Sequence, residues 1–121
     1  LMIGGYDPVE FLADARDRIA HVHLKDVRLD LAAPVLRGEQ SIMQGVQNGM
    51  FCPMGDGDVP VAEVVTELER SGYDGWYVLE QDAAITDGEP APGEGPKVDV
   101  LRSIEYLRAI NAEFTAGQKA S

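Results

Sequence analysis

The sequence predicts an α/β fold, a parallel sheet with helices packed outside it. Two observations carry this most directly. Apolar strand-like runs alternate with helix-like runs in the order helix, strand, loop, strand, helix, strand, helix. The strand candidates also end in polar residues, at His23-Leu24-Lys25-Asp26, Gly55-Asp56-Gly57-Asp58 and Glu80-Gln81-Asp82. A third observation concerns residues 19–25, where strand alternation puts His21, His23 and Lys25 on one face and Val22 and Leu24 on the other. One chemical face and one aliphatic face suit a strand of a closed barrel, where active residues gather at the C-terminal strand ends.

The first helix is expected to open at Tyr6-Asp7-Pro8-Val9-Glu10. Asp7 is a good N-cap, Pro8 suits the first helical position, and Glu10 completes a capping box. Phe11, Leu12, Ala15 and Ile19 give it helical spacing to about residue 17, and the strand 19–25 follows almost at once. Residues 26–50 have no clear period. A connection of that length is either a functional loop or an unresolved crossover helix, and Ser41 to Asn48 suits a short helix. Residues 49–54 read as a short strand, broken by Gly55-Asp56-Gly57-Asp58. That run either lines a pocket or is only a turn before a helix N-terminus.

The next helix starts at Pro60 and buries Val61, Val64, Val65 and Leu68, then stops at Ser71-Gly72. Trp76-Tyr77-Val78-Leu79-Glu80 is the second clear strand, with Trp76 and Phe51 expected in the core and Trp76 filling the barrel interior. Residues 83–97 hold Pro90, Pro92 and Pro96 and read as an exposed loop. The last helix shows Val98, Leu101, Ile104, Leu107 and Ile110 at spacings of three, and a frayed tail is expected over 114–121.

Composition narrows the function. The chain has 121 residues and is 45% hydrophobic, so it is one domain, 1–113, or part of one, and it has the means to bury a core. No run approaches the ~20 apolar residues of a membrane span, and the start lacks a secretory signal. A first residue of Leu suggests a cut from something longer. With 21 acidic and 10 basic residues the net charge is −11, which disfavours nucleic acid and anionic membrane surfaces as partners. Cys52 is the single cysteine, so no internal disulfide forms and a cytoplasmic setting is expected; it has no basic neighbour to make it a catalytic thiol. No phosphate-binding glycine loop or nucleophile elbow is present.

His23 and Glu80 are the best candidate pair, because each ends an apolar strand, and an imidazole with a carboxylate suits a borderline divalent ion such as Mn²⁺, Co²⁺ or Zn²⁺. The plainer alternatives are a hydrogen-bonded core histidine and an exposed strand-end carboxylate. Lys25 suits neutralising a substrate alkoxide, and equally suits pairing with Glu80 or Asp82. Arg28 suits a hydroxyl or phosphate group, or is a plain surface arginine.

Three segments together, His21-Val22-His23-Leu24-Lys25-Asp26-Val27-Arg28, Gly49-Met50-Phe51 with Gly55-Asp56-Gly57-Asp58, and Gly72 through Asp82, resemble the C-terminal part of xylose isomerase-like (β/α)8 TIM barrels, the sugar phosphate isomerase/epimerase superfamily. The ending Gly75-Trp76 with Glu80-Gln81-Asp82 looks closest to the inosose dehydratase-like branch of inositol catabolism. The resemblance implies about strands six to eight of the barrel with their helices, His23 ending strand six and Glu80 ending strand eight. It implies one divalent ion, Mn, Co, Mg or Zn, held by a Glu, an Asp, a His and a Glu. His23 and Glu80 match the last two, and the first two have no counterpart in this chain. It also implies Glu80 as general base and acid next to a carbonyl, and a deeper, structural place for His21; Lys25, Arg28 and His21 are the expected substrate-side residues.

The expected function is therefore a metal-dependent isomerase or epimerase of a sugar or sugar phosphate. The alternatives are a dehydratase-type lyase acting on a cyclitol, and a non-catalytic fragment or binding module. A DNA-repair endonuclease branch of the same superfamily calls for more histidines and a basic groove, against which the net charge stands. Three or four strands do not close a barrel, so open sheet edges and self-association into a homo-oligomer are expected of the isolated chain.

Overall fold

The computed structural model describes residues 1–86 and 88–119. After a single 3-10 turn at Met2–Gly4, helix α1 (Pro8–Ala15) begins where Asp7 accepts bonds from the backbone N–H groups of Val9 and Glu10. Its C-terminus tightens into a 3-10 turn at Arg16–Arg18. Strand β1 (Val22–Leu24) runs straight into β2 (Asp26–Val27), with Lys25 at the bend between them. Helices α2 (Leu29–Leu36) and α3 (Ile42–Gln47) fill the region that lacked a clear period. The short helix expected near Ser41 is α3, and Ser41 and Gln44 close a capping box at its start. Strand β3 (Phe51–Cys52), helix α4 (Val61–Arg70), strand β4 (Tyr77–Leu79) and helix α5 (Pro96–Lys119) complete the order.

Strands β1 and β4 pair in parallel, Val22 with Tyr77, His23 with Val78 and Leu24 with Leu79. The other pair departs from expectation. β2 and β3 are antiparallel, Asp26 opposite Cys52 and Val27 opposite Phe51, so residues 49–54 do not add a third parallel strand. The reason is local. α2 and α3 carry the chain out and back, and Gly49 turns at φ 80, which returns β3 against β2 from the opposite direction. The parallel α/β expectation therefore holds for β1 and β4 alone.

Helix α4 is the hub of the core. Val64 and Leu68 meet Leu12 of α1, while Val61 and Val65 meet Leu24 of β1 and Ile110 of α5. Each such fully buried aliphatic side chain stabilises the fold by about 1.5–3 kcal/mol. A satellite cluster of Val27, Ala32 and Met50 ties the α2–α3 excursion to β2. On α5 the buried positions include Ser103 and Ile110, with Tyr106 and Leu107 packed against the core, whereas Val98 and Leu101 are exposed. A strict spacing of three lags a 3.6-residue turn by about 60° per step, so that stripe winds off the buried face. The helix also continues through 114–119, where a tail was expected; Ala120 and Ser121 lie outside the described residues.

Trp76 corrects another expectation. It is 78% exposed rather than buried in a barrel interior; among the described residues the parallel sheet has two strands, too few to enclose it.

Candidate functional site

Parallel pairing brings the C-terminal ends of β1 and β4 to the same edge of the sheet. Glu80 N–H donates to Leu24 O at 3.0 Å, which extends the ladder by one rung and sets Lys25 near Glu80. Lys25 Nζ donates to Glu80 Oε1 at 2.6 Å and to Asp82 Oδ2 at 2.7 Å. The same ammonium stands 4.5 Å from the centre of the Phe51 ring, a cation–π contact. His23 Nδ1 lies 3.4 Å from Glu80 Oε2, long for a hydrogen bond, so the two are close neighbours more than tight partners.

The charges in this cluster are set by one another. Hydrogen bonds from Lys25 and then His23 hold the Glu80 carboxyl below its ordinary range. Burial pulls the Lys25 ammonium down, but its hydrogen bonds to Asp82 and Glu80 outweigh that, and it titrates above the usual lysine value. Near neutral pH Glu80 is thus an anion able to accept a proton, and Lys25 a cation able to steady a developing oxyanion.

Behind the cluster lies a cavity of about 350 Å³. Its walls are largely apolar, with Phe11 and Leu12 of α1 facing Val64 and Leu68 of α4, and His21, His23 and Lys25 are among its polar lining. Small-molecule sites have this character, an apolar hollow with a few placed polar groups.

The structure brings His23, Lys25 and Glu80 together, and adds Asp82 as a second carboxylate on Lys25. His21 lies on the same face as His23, with ring centres 5.2 Å apart. Arg28 is placed elsewhere. Its Nη1 donates to Gly49 O at 3.1 Å, which pins the turn before β3. Cys52 is buried, and burial, then the charge of Asp26, pushes its thiol up to about 11, which makes it inert.

The residue that sequence reasoning passed over is Asp26. Its side chain is fully buried at 0% exposure. Oδ1 accepts from the N–H groups of Val27 and Val59 at 2.8 and 3.1 Å, and Oδ2 from those of Gly55 and Gly57 at 2.9 and 3.0 Å. The Gly55–Asp58 run is therefore the wrapping of a buried carboxylate. A Cβ at Gly57 would collide with that carboxylate and with Val27 O, so glycine is required there. Asp58 locks the loop further by accepting from Leu29 N–H at 2.7 Å. The available signal was a polar strand end, Lys25-Asp26, paired with a downstream Gly-Asp-Gly-Asp run.

The donor types at His23 and Glu80 fit a divalent ion, but their number does not. Among the described residues no group of three His, Cys, Asp or Glu side chains converges on one point, and Lys25 already holds one oxygen of Glu80.

A parallel strand pair with helices packed against it, and a Lys25–Glu80–His23 cluster at its C-terminal edge, make an α/β arrangement with its charged groups at the strand ends. The chain belongs to the xylose isomerase-like TIM barrel family, whose profile matches residues 1–110. It is similar to inosose dehydratases: 42% identical over 110 residues to that of Bacillus thuringiensis (strain Al Hakam), a match covering 89% of this chain and 34% of the relative. Against the inosose dehydratase of Geobacillus kaustophilus (strain HTA426) the identity is 42% over 120 residues, 98% of this chain and 36% of the relative. Against that of Lacticaseibacillus casei it is 38% over 109 residues, covering 90% and 35%. The chain thus spans about a third of the length of the curated relatives it matches. No solved structure matches it significantly. Among the described residues no helix is long and apolar enough to cross a membrane.

Proposed function

We propose that this chain is the C-terminal, site-bearing part of a dehydratase acting on an inosose-like cyclitol, a polyhydroxylated ring carrying one ketone. The observation that carries this reading is the Lys25–Glu80–His23 cluster beside an apolar cavity, in a chain 42% identical to inosose dehydratases.

The chemistry is proton removal next to a carbonyl. The C–H electron pair becomes the new C=C bond as the proton passes to Glu80. The β C–O bond breaks, and the hydroxyl leaves as water by taking back the proton that Glu80 received, which restores the carboxylate. Lys25 faces the oxygen that gains charge. Returning the proton to carbon instead gives an isomerase or epimerase, which the family's isomerase-like character supports less directly than the relatives' dehydratase names support elimination.

His23 and Glu80 are the side chains that would hold the expected divalent ion, Mn, Co, Mg or Zn, with further ligands from the rest of the full-length protein. Held there with those further ligands, it would supply Lewis-acid stabilisation of substrate oxygens. A cytoplasmic setting, in keeping with a single buried thiol, belongs to the same proposal.

The test is an absorbance assay on the full-length protein that contains this chain, given an inosose. Conjugated-carbonyl product forming in the wild type and lost in Glu80→Gln supports the reading. Proton exchange into recovered substrate without water loss would move the assignment to an isomerase or epimerase.

A further inference from the structure

We propose that Asp26 and Ser103 are positioning residues for Lys25, linked through the loop at residues 54–59, so that helix α5 sets where the lysine ammonium stands. What that lysine does rests on the dehydratase reading; how it is held rests on geometry alone.

A coincidence of burial carries the inference. Among the described residues, Asp26 and Ser103 are the buried polar side chains, at 0% and 2% exposure. They come from distant parts of the chain, yet both bond the backbone of one loop. Asp26 accepts from Gly55, Gly57 and Val59. Ser103 Oγ accepts from Met54 N–H at 3.0 Å and donates to Asp99 O at 2.9 Å. Taking polar groups out of water has a free-energy cost that apolar side chains avoid. The pair is therefore better suited to holding a position than to adding stability. Two more α5 side chains close on the same loop. Arg102 Nη2 meets Asp56 Oδ2 at 2.8 Å, and the Tyr106 ring lies where a Cβ on Gly55 would collide with it. Positions 102, 103 and 106 are neighbours on the helix surface.

What the loop holds is the base of Lys25. That residue lies between Leu24, buried in the core, and the enclosed Asp26. A lysine stem is flexible, so placing its head takes a fixed backbone as well as the bonds to Glu80 and Asp82. Asp26 and Val27 also pair with Cys52 and Phe51, so the ring beside the ammonium hangs from the same bend. Loosening the loop shifts ammonium and ring together. A misplacement on the order of 1 Å at a reacting group costs up to about 10²-fold in rate.

The test uses the full-length protein that contains this chain, as wild type, Lys25→Met, Ser103→Ala and the double variant. Alanine suits a helix interior, so Ser103→Ala removes the acceptor and spares α5, which circular dichroism checks. Lys25→Met is expected to lose about 10²–10³-fold in kcat. Ser103→Ala is expected to lose on the order of tenfold in kcat with KM little changed, and to add no loss in the Lys25→Met background. Hydrogen exchange over residues 53–59, read by mass spectrometry, is expected to speed up in Ser103→Ala and to stay as in wild type in Lys25→Met. Asp26→Asn is expected to lose about 10²-fold in the same lysine-dependent way. Arg102→Gln, an exposed change that spares the core, is expected to show the same pattern at smaller size, and it decides the matter if the buried variants do not fold. A Ser103→Ala loss that persists undiminished in Lys25→Met would overturn the inference and leave Ser103 a plain fold residue. So would full turnover in Ser103→Ala, or unchanged exchange in the loop. A wild type without turnover would overturn the dehydratase reading instead, and the exchange rates would then decide whether α5 holds the loop.

Discussion

Lys25 and Glu80 are 55 residues apart in sequence, yet Lys25 Nζ meets Glu80 Oε1 at 2.6 Å. The contact follows from parallel pairing, because β1 and β4 share a direction and so end at one edge. It also gives the cluster its division of labour, an anion beside a cation, each holding the other's charge. Glu80→Gln keeps the shape and removes the proton acceptor. In the full-length protein, the dehydratase activity proposed above is expected to fall by about 10²–10⁴-fold in kcat. The variant's urea midpoint should barely move, since partly exposed ion pairs contribute little to stability. An unchanged kcat would remove Glu80 from the chemistry.

The same pair sets a pH window. The Glu80 value is depressed, so its contribution is present above the ordinary carboxylate value of 4.5 and is lost as pH falls through the lower folded value. The Lys25 value is raised, so its contribution is present below 10.5 and is lost as pH rises through the higher folded value. The stability difference between wild type and Lys25→Met should therefore be flat between those limits and shrink on both sides. Urea midpoints across the pH range check this, and a difference that varies near neutral pH would contradict it.

Strand faces and strand ends were legible in the sequence because they depend on local periodicity. His23, Lys25 and Glu80 stood out as polar residues closing apolar runs, and they do converge. Asp26 did not stand out, because its partners are backbone N–H groups of residues 27, 55, 57 and 59, which leave no side-chain pattern. Trp76 was misplaced because its burial depends on strands closing over it, a tertiary fact that no local rule supplies. The antiparallel β2–β3 pair was hidden for a like reason: residues 26–27 and 51–52 are too short for alternation to show.

Asp26 offers the sharpest test of fold stability. Each of its carboxylate oxygens accepts two backbone N–H groups. In Asp26→Asn one oxygen becomes an NH₂ group, and whichever way the amide turns, two N–H donors face another donor. The expected cost is about 1–3 kcal/mol for each orphaned group. Chemical denaturation should show it as a lower midpoint with the slope unchanged. A variant as stable as wild type would mean that the Gly55–Val59 loop does not depend on this carboxylate.

Cys52 provides a probe of that loop. Its thiol is buried and raised to about 11, so below that pH it is both covered and protonated. Thiol reagents near pH 8 should label the native chain slowly and the urea-unfolded chain fast. Since Cys52 pairs with Asp26 across β2–β3, Asp26→Asn should accelerate native-state labelling. Fast labelling of the wild type would show that this strand pair opens readily.

Self-association tests how complete the fold is. The two sheets have two strands each, and two-stranded sheets are marginal without further cover. β1 and β4 therefore present open edges, and Trp76, Phe11, Ile42 and Met43 are exposed. Against this stands mutual repulsion from a net charge of −11. Repulsion is screened by salt, with a Debye length near 10 Å at 0.1 M and about 3 Å at 1 M, while apolar attraction is not. The chain should thus be closest to monomeric at low salt and associate as salt rises. Trp76 is the single tryptophan, so its emission should shift to the blue if the open sheet face is what becomes covered. Trp76→Glu should restore the monomer at high salt if that face is the contact. Light scattering that shows a monomer at every salt concentration, with one cooperative melting transition, would mean that the open edges are protected by the chain itself.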